Sequence, residues 1–395
     1  MFCGIWRAWG RVVVCLTAMI IIPQGAVKAG QGCRELTVSR EYEKAVAECT
    51  AAMGRGSLSK PVLAGMHRWR GFAYKGMGDM VSAKADFDRA IALEPSDDLS
   101  YVGRAQAFEK ERNYSAAKGD LERAIELNPS NQAAWEHRGI LSYIEGNYTE
   151  CLGQLSRAID LGPNNPRAYT FRGNAYAALN ENQQALDDYT RAIELNPKEF
   201  LSLLGRAFVE KKKGYYDEAV ADYGRLIEMS PKFWQAYQGR ADIYAARKEY
   251  TDAIQDLGRA IAINPSSVLL YSQRGMLYIL EKMPQNALAD LTRAIEIKPD
   301  NPGSYFARAV LYKDLMRYDE SAADVRRCVE LKRGDVASMI FLARVESLRN
   351  NAPEACRWIR AALDTGQLKD PRVVVSQKDF DNISSNACFQ EFMDR

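Results

Sequence analysis

Histidine is scarce in this 395-residue sequence. Only His67 and His137 occur, which excludes a histidine-rich metal site by count. An excess of either charge is also missing: 53 Lys and Arg face 51 Asp and Glu, so there is no bulk field to hold nucleic acid or an anionic membrane. No phosphate loop of the Gly-x4-Gly-Lys-Ser/Thr kind occurs, nor a Gly-x-Ser-x-Gly elbow, nor His-Glu-x-x-His. None of the eight cysteines forms Cys-x-x-Cys, which removes a zinc knuckle and a thioredoxin-like site. These absences point away from an enzyme, a cofactor and a metal.

The apolar run at the N-terminus is short as well. It covers eleven residues, Val12 to Ile22, against the roughly 20 that a bilayer span needs. Arg7 and Arg11 precede it, Pro23 ends it, and Val27-Lys28-Ala29 before Gly30 offers a small-residue cleavage site. Residues 1–29 are therefore expected to be a signal peptide rather than a retained anchor. Cleavage would leave 50 basic against 51 acidic residues, six cysteines and no stable membrane span. Export would also permit disulfides.

What the chain does have is a period. Proline stands at Pro95, Pro129, Pro163, Pro197, Pro231, Pro265 and Pro299, each 34 residues after the last, often closing a phrase such as Arg123-Ala-Ile-Glu-Leu-Asn-Pro129. A fixed spacing of this size marks an array of stacked repeats. With Pro95 as position 32, repeats start at 64, 98, 132, 166, 200, 234, 268 and 302. Position 8 is always Gly or Ala, and positions 20 and 27 are mostly Ala. Large residues fall between them, at position 11 (Tyr74, Phe108, Tyr176, Tyr244, Tyr278, Tyr312) and position 24 (Phe87, Tyr189, Tyr223). Small positions let two helices approach, and the rings fill the gaps they frame. Proline cannot continue a helix, so each repeat reads as two helices, with Gly78, Gly146 and Gly214 at the turn between them.

Two charged ladders share the period. Arginine holds position 7 from Arg70 to Arg308, and aspartate holds position 23 from Asp86 to Asp324, with Gln154 the exception. Pairing between neighbouring helices, which fixes the stacking register, is the expected role, at ~0–1 kcal/mol for each exposed pair. The ends are less regular. Residues 30–63 form an irregular opening, in which Tyr42 to Met53 reads as the second helix of a pair whose first member is missing or degenerate. Residues 336–369 read as a degenerate ninth repeat. Residues 370–395 read as a capping tail, with an extended step at Asp370-Pro-Arg-Val-Val-Val-Ser and a last short helix.

The small-aromatic-small-small-Pro pattern resembles the tetratricopeptide repeat family, in register over residues 64–301 and in part to 369. The resemblance implies an all-α, right-handed superhelical solenoid of antiparallel helix pairs, with first helices lining a concave groove. It further implies a scaffold or adaptor for protein or peptide partners. By that analogy positions 2, 5, 9 and 12 face the groove: Ile140, Tyr143, Asn174, Leu201, Leu204, Phe208, Leu269, Met276, Ile279, Phe306 and Val310. The family's chaperone-tail clamp needs Lys and Asn at positions 5 and 9 of its first repeat, where this chain has Arg68 and Phe72. Cys33 and Cys49 resemble the cysteine pair opening several exported bacterial members, which implies a disulfide there. Cys328 and Cys356 fall on adjacent second helices and form a second candidate pair, with Cys388 as competitor. The periplasm is the best address, with a secreted form or the endoplasmic reticulum lumen as alternatives. A lipid or small-molecule carrier and a self-assembling envelope component are the rival functions.

Overall fold

The computed structural model describes residues 24–55, 58–375 and 378–393. Most of the expected signal segment, residues 1–23, lies outside the described residues. Among the described residues every regular element is a helix. The described residues divide into two bodies, one up to residue 188 and one from residue 189 onward.

The first body pairs α1 (Gln24–Val38) with α2 (Tyr42–Gly54), α3 (Lys60–Met77) with α4 (Met80–Leu93), α5 (Asp98–Lys110) with α6 (Tyr114–Leu127) and α7 (Gln132–Ile144) with α8 (Tyr148–Leu161). It continues through α9 (Pro166–Ala178) into α10 (Asn182–Leu195), within which the division falls. The second body pairs α11 (Phe200–Lys213) with α12 (Tyr216–Met229), α13 (Trp234–Ala246) with α14 (Tyr250–Ile263) and α15 (Val268–Leu280) with α16 (Pro284–Ile297). Two further pairs follow, α17 (Pro302–Asp314) with α18 (Tyr318–Leu331) and α19 (Val336–Leu348) with α20 (Ala352–Asp364). The tail folds as α21 (Arg372–Val375), a 3-10 turn (Lys378–Ile383) and α22 (Ala387–Met393). The step expected to be extended is thus a short helix.

The turn inside each pair is reached at position 15 by a left-handed residue. Gly78, Gly146 and Gly214 supply it without strain, but Arg112, Asn180, Lys248, Lys282, Met316 and Asn350 adopt the same positive φ. First helices start on side-chain caps where the chain offers them. Asn131 accepts from the Ala134 amide at 3.0 Å, Asn301 from the Gly303 amide at 3.1 Å and Asp335 from the Ser338 amide at 3.1 Å.

The opening differs most from its sequence reading, because α1 supplies the partner of α2. Arg40 takes the left-handed turn with φ 64, and Cys33, Ala45 and Ala52 are buried. Counted back from Arg40, these are positions 8, 20 and 27 of a repeat that starts at residue 26, four residues out of register with the array. A four-residue insertion, absorbed by the long helix α3, hid this pair from the period. Cys33 and Cys49 are joined by a disulfide with Cα atoms 5.3 Å apart. They stand at positions 8 and 24, the places where Gly71 meets Phe87 in the next repeat.

At the other end, Phe380, Ile383, Phe389 and Phe392 of the tail bury themselves against Ala343, Cys356 and Ile359. A disulfide joins Cys356 to Cys388. The Cys328–Cys356 pairing is therefore corrected. Cys328 is a buried free thiol whose Sγ lies 3.2 Å from the Ser338 hydroxyl, while Cys356 faces the tail.

Candidate binding face of the first helices

The charged ladders set the geometry on which any binding face rests. In both bodies every position-7 arginine except Arg138 grips the position-23 aspartate of its own repeat through two parallel hydrogen bonds. Arg172 Nε and Nη2 each lie 2.8 Å from Asp188, and Arg274 repeats the same pair of distances with Asp290. The aspartates are buried, at 1% exposure for Asp86 and 2% for Asp256. These are not the exposed pairs expected from sequence. Breaking a buried, bidentate pair by removing one partner costs ~3–5 kcal/mol rather than a few tenths. Asp86 illustrates the balance. Burial pushes its carboxyl up, but the hydrogen bonds of Arg70 and His67 outweigh burial and hold it down at about 2. The remaining guanidinium nitrogen reaches back to position 25 of the preceding repeat: Asp88 from Arg104 at 2.6 Å, Ser156 from Arg172 at 3.0 Å, Thr190 from Arg206 at 3.2 Å and Thr292 from Arg308 at 2.9 Å. One side chain thus ties a first helix to the second helices on both sides. Where Gln154 replaces the aspartate, Arg138 turns to Glu150 at 2.7 Å instead.

This stapling places the first helices side by side within each body. In the first body their common face carries a polar chain. Lys75 donates to the Gln106 carbonyl, and the Gln106 amide donates to His137 Nε2 at 2.7 Å. The ring proton therefore sits on Nδ1, which donates to Glu109 at 2.9 Å. These groups border a recess of about 610 Å³ with Lys110 and Arg167 at its rim. The sequence reading gives neither the histidines nor Lys75 a role. The signal is the position: 75, 106 and 137 are spaced by 31, three short of the period, so each repeat moves back by about one helical turn along the face.

In the second body the same face is bridged by Lys211 to Asp242 at 2.8 Å, Gln273 to Asp242 at 3.0 Å and Gln238 to Gln273 at 2.8 Å. The helices before and after α13 also carry exposed apolar side chains. Leu201 and Phe208 stand on α11, at 47% and 58% exposure, and Leu269, Met276 and Leu280 stand on α15, at 54%, 51% and 55%. Of the groove residues expected from sequence, Leu201, Phe208, Leu269 and Met276 are therefore open to solvent. Ile140 is buried against Leu155 and Ala175. Tyr143 stacks edge-on to Phe171 at 5.7 Å, and Phe306 packs on Phe341 at 5.1 Å. Leu204, Ile279 and Val310 are half-buried against their neighbours' cores. Asn174 is half-buried too and has polar interactions of its own. Leu280, at position 13, is not among the expected residues; its i+4 spacing from Met276 is the available signal.

Profiles described as "Tetratricopeptide repeat" match residues 69–97, 102–166, 166–199, 203–268, 269–301 and 302–335. The chain belongs to the tetratricopeptide repeat family. Among curated proteins none is significantly similar. Among solved structures, a tetratricopeptide repeat (TPR) protein from Parabacteroides merdae ATCC 43184 is 23% identical, with a TM-score of 0.44 over 63% of this chain and 98% of that one. YrrB, described as a TPR protein with an unusual peptide-binding site, is 23% identical, with a TM-score of 0.42 over 47% of this chain and 95% of its own. A thermophilic TPR protein in Thermus thermophilus is 24% identical, with a TM-score of 0.35 over 46% of this chain and 98% of that one. Within the TPR frame, the ladder arginines and small positions explain the fold, and the face between Leu201 and Leu280 is where this chain departs from its own repeat.

Proposed function

We propose that this TPR protein is a non-enzymatic adaptor whose second body docks a polypeptide partner on its first-helix face. The observation that carries the reading is the set of exposed apolar side chains, Leu201 with Phe208 on α11 and Leu269 with Met276 and Leu280 on α15, on the helices before and after α13, whose Gln238 and Asp242 hydrogen-bond to Gln273. Large apolar side chains at about half exposure cost solubility unless something covers them. A partner segment with two apolar anchors and a polar centre suits the arrangement. Export to an oxidising compartment, the periplasm first, is part of the same reading. The Cys33–Cys49 and Cys356–Cys388 bridges support it, and among the described residues no helix is long and apolar enough to cross a membrane.

A photocrosslinking residue at position 208, used in cells with the exported protein and read by mass spectrometry, tests the adaptor function. A partner captured above an uncrosslinked control, and lost on Met276→Asp, is the expected result. No capture above control overturns the reading.

A further inference from the structure

The first body carries a chemically different feature, the recess of about 610 Å³ bordered by α3, α5, α7 and α9. We infer that it is a binding site for an organic acid, a carboxylate on an apolar stem, whose charge is held by Lys75 and Arg167. The volume lies within the range of sites that enclose small ligands.

Positive charge converges on this recess. Lys75, Lys110 and Arg167 border it, against the single carboxylate of Glu109. Glu109 is already engaged by the His137 Nδ1 proton at 2.9 Å, and Arg167 gives one nitrogen to Glu136 at 3.1 Å. Burial pulls the Lys75 ammonium down to about 8; Glu109 opposes that shift, and Lys110 and Arg167 add to it. A carboxylate seated beside Lys75 relieves both the lost hydration and the repulsion. The ammonium has three donors. One is fixed on Gln106, whose own amide is fixed by His137, so the head group is held in place before a ligand arrives.

The remaining wall selects the stem. Ile140, Ile144 and Phe171 also line the recess. Ile144 is 49% exposed. A bare inorganic anion leaves that wall wet, whereas an alkyl or aryl stem covers it. The family's chaperone-tail clamp uses positions 5 and 9, where the first regular repeat has Arg68 and Phe72. The charge here comes from position 12 of that repeat and position 2 of a later one. The site shares no residue with the docking face of the second body.

The same chemistry is offered by a free organic acid or by the terminal carboxylate of an apolar peptide, and calorimetry on the full chain separates them. The probes are octanoate, an apolar peptide with a free C-terminus, its amidated twin, and inorganic phosphate. Binding of octanoate assigns the site to free acids, and binding of the free-carboxylate peptide alone assigns it to peptides; both support the site. Lys75→Gln should weaken binding at least about tenfold. Near pH 8, where Lys75 is partly unprotonated, binding should take up protons, seen as a dependence of the heat on buffer. Lys75→Arg should retain affinity and lose that uptake, with an unchanged melting midpoint showing that each variant folds. Phe208→Ala should leave all of this untouched, which separates failure here from failure of the adaptor reading. The proposal is overturned if neither octanoate nor the free-carboxylate peptide binds, if the amidated peptide or phosphate binds as well as the tighter of those two, or if Lys75→Gln binds like the natural chain.

Discussion

Glu210 stands at position 11, where six other repeats place an aromatic ring. It is 7% exposed, and its Oε2 is buried without a hydrogen-bond partner. Burial pushes its carboxyl up to about 7, with the negative charges of Asp222 and Glu218 adding to the shift and Arg206, 3.6 Å away, opposing it. The folded chain therefore holds a proton that an unfolded glutamate releases near 4.5. Its contribution to stability is intact below about pH 4.5 and is lost as pH rises through about 7. Glu210→Gln should raise stability at pH 8 by about 1–3 kcal/mol and have little effect at pH 5. Urea unfolding of both proteins at the two pH values checks this; an equal gain at both would show that shape rather than charge is responsible. Asp86, held at about 2, loses stability only in strong acid.

Between elements, size is matched across the junction from one repeat to the next. Position 24 touches position 6 of the following repeat. Where position 24 is a ring, position 6 is glycine: Phe87 with Gly103, Tyr189 with Gly205, Tyr223 with Gly239. Where position 24 is aliphatic, position 6 is larger: Leu155 with Phe171, Leu291 with Ala307, Val325 with Phe341. A Cβ on Gly205 would lie 2.5 Å from the Tyr189 ring, too close for contact. Gly205→Ala should cost about 1–3 kcal/mol by overpacking. Tyr189→Leu in the same chain should recover at least half of that loss, because the pair then resembles Leu291 with Ala307. Chemical denaturation of the two single variants and the double variant measures the coupling, and simple additivity would argue against a size-matched contact.

For the whole molecule, a stack of like elements has a problem only at its ends, where an apolar face has no successor. The tail meets it at the C-terminal end by burying Phe380, Phe389 and Phe392, with Cys356–Cys388 as a covalent tie and Arg360–Glu391 at 2.7 Å as a surface pair. Removing residues 370–395 should lower the melting midpoint and produce concentration-dependent self-association, read by sedimentation. Reduction alone, with the tail present, should loosen the last helix without exposing the aromatics. A truncated chain that stays monomeric and equally stable would show that the tail does not cap.

The spacing of prolines and small residues determined the repeat, its two helices and their close approach, because those properties act locally and recur. The arginine and aspartate ladders were legible for the same reason. Their burial was not, since exposure depends on what a neighbour covers. The opening pair was hidden because a four-residue insertion breaks a period without breaking a hairpin. Cys356 meets Cys388 rather than Cys328 through a return of the chain that no spacing encodes. The candidate sites divide in the same way. Phe208 and Met276 could be read as misplaced apolar residues in a known position, whereas Lys75, Gln106, His137 and Glu109 sit in three different repeats. Only packing the first helices side by side brought their charges to one recess, because converging groups are a property of the stacked face and not of any single repeat.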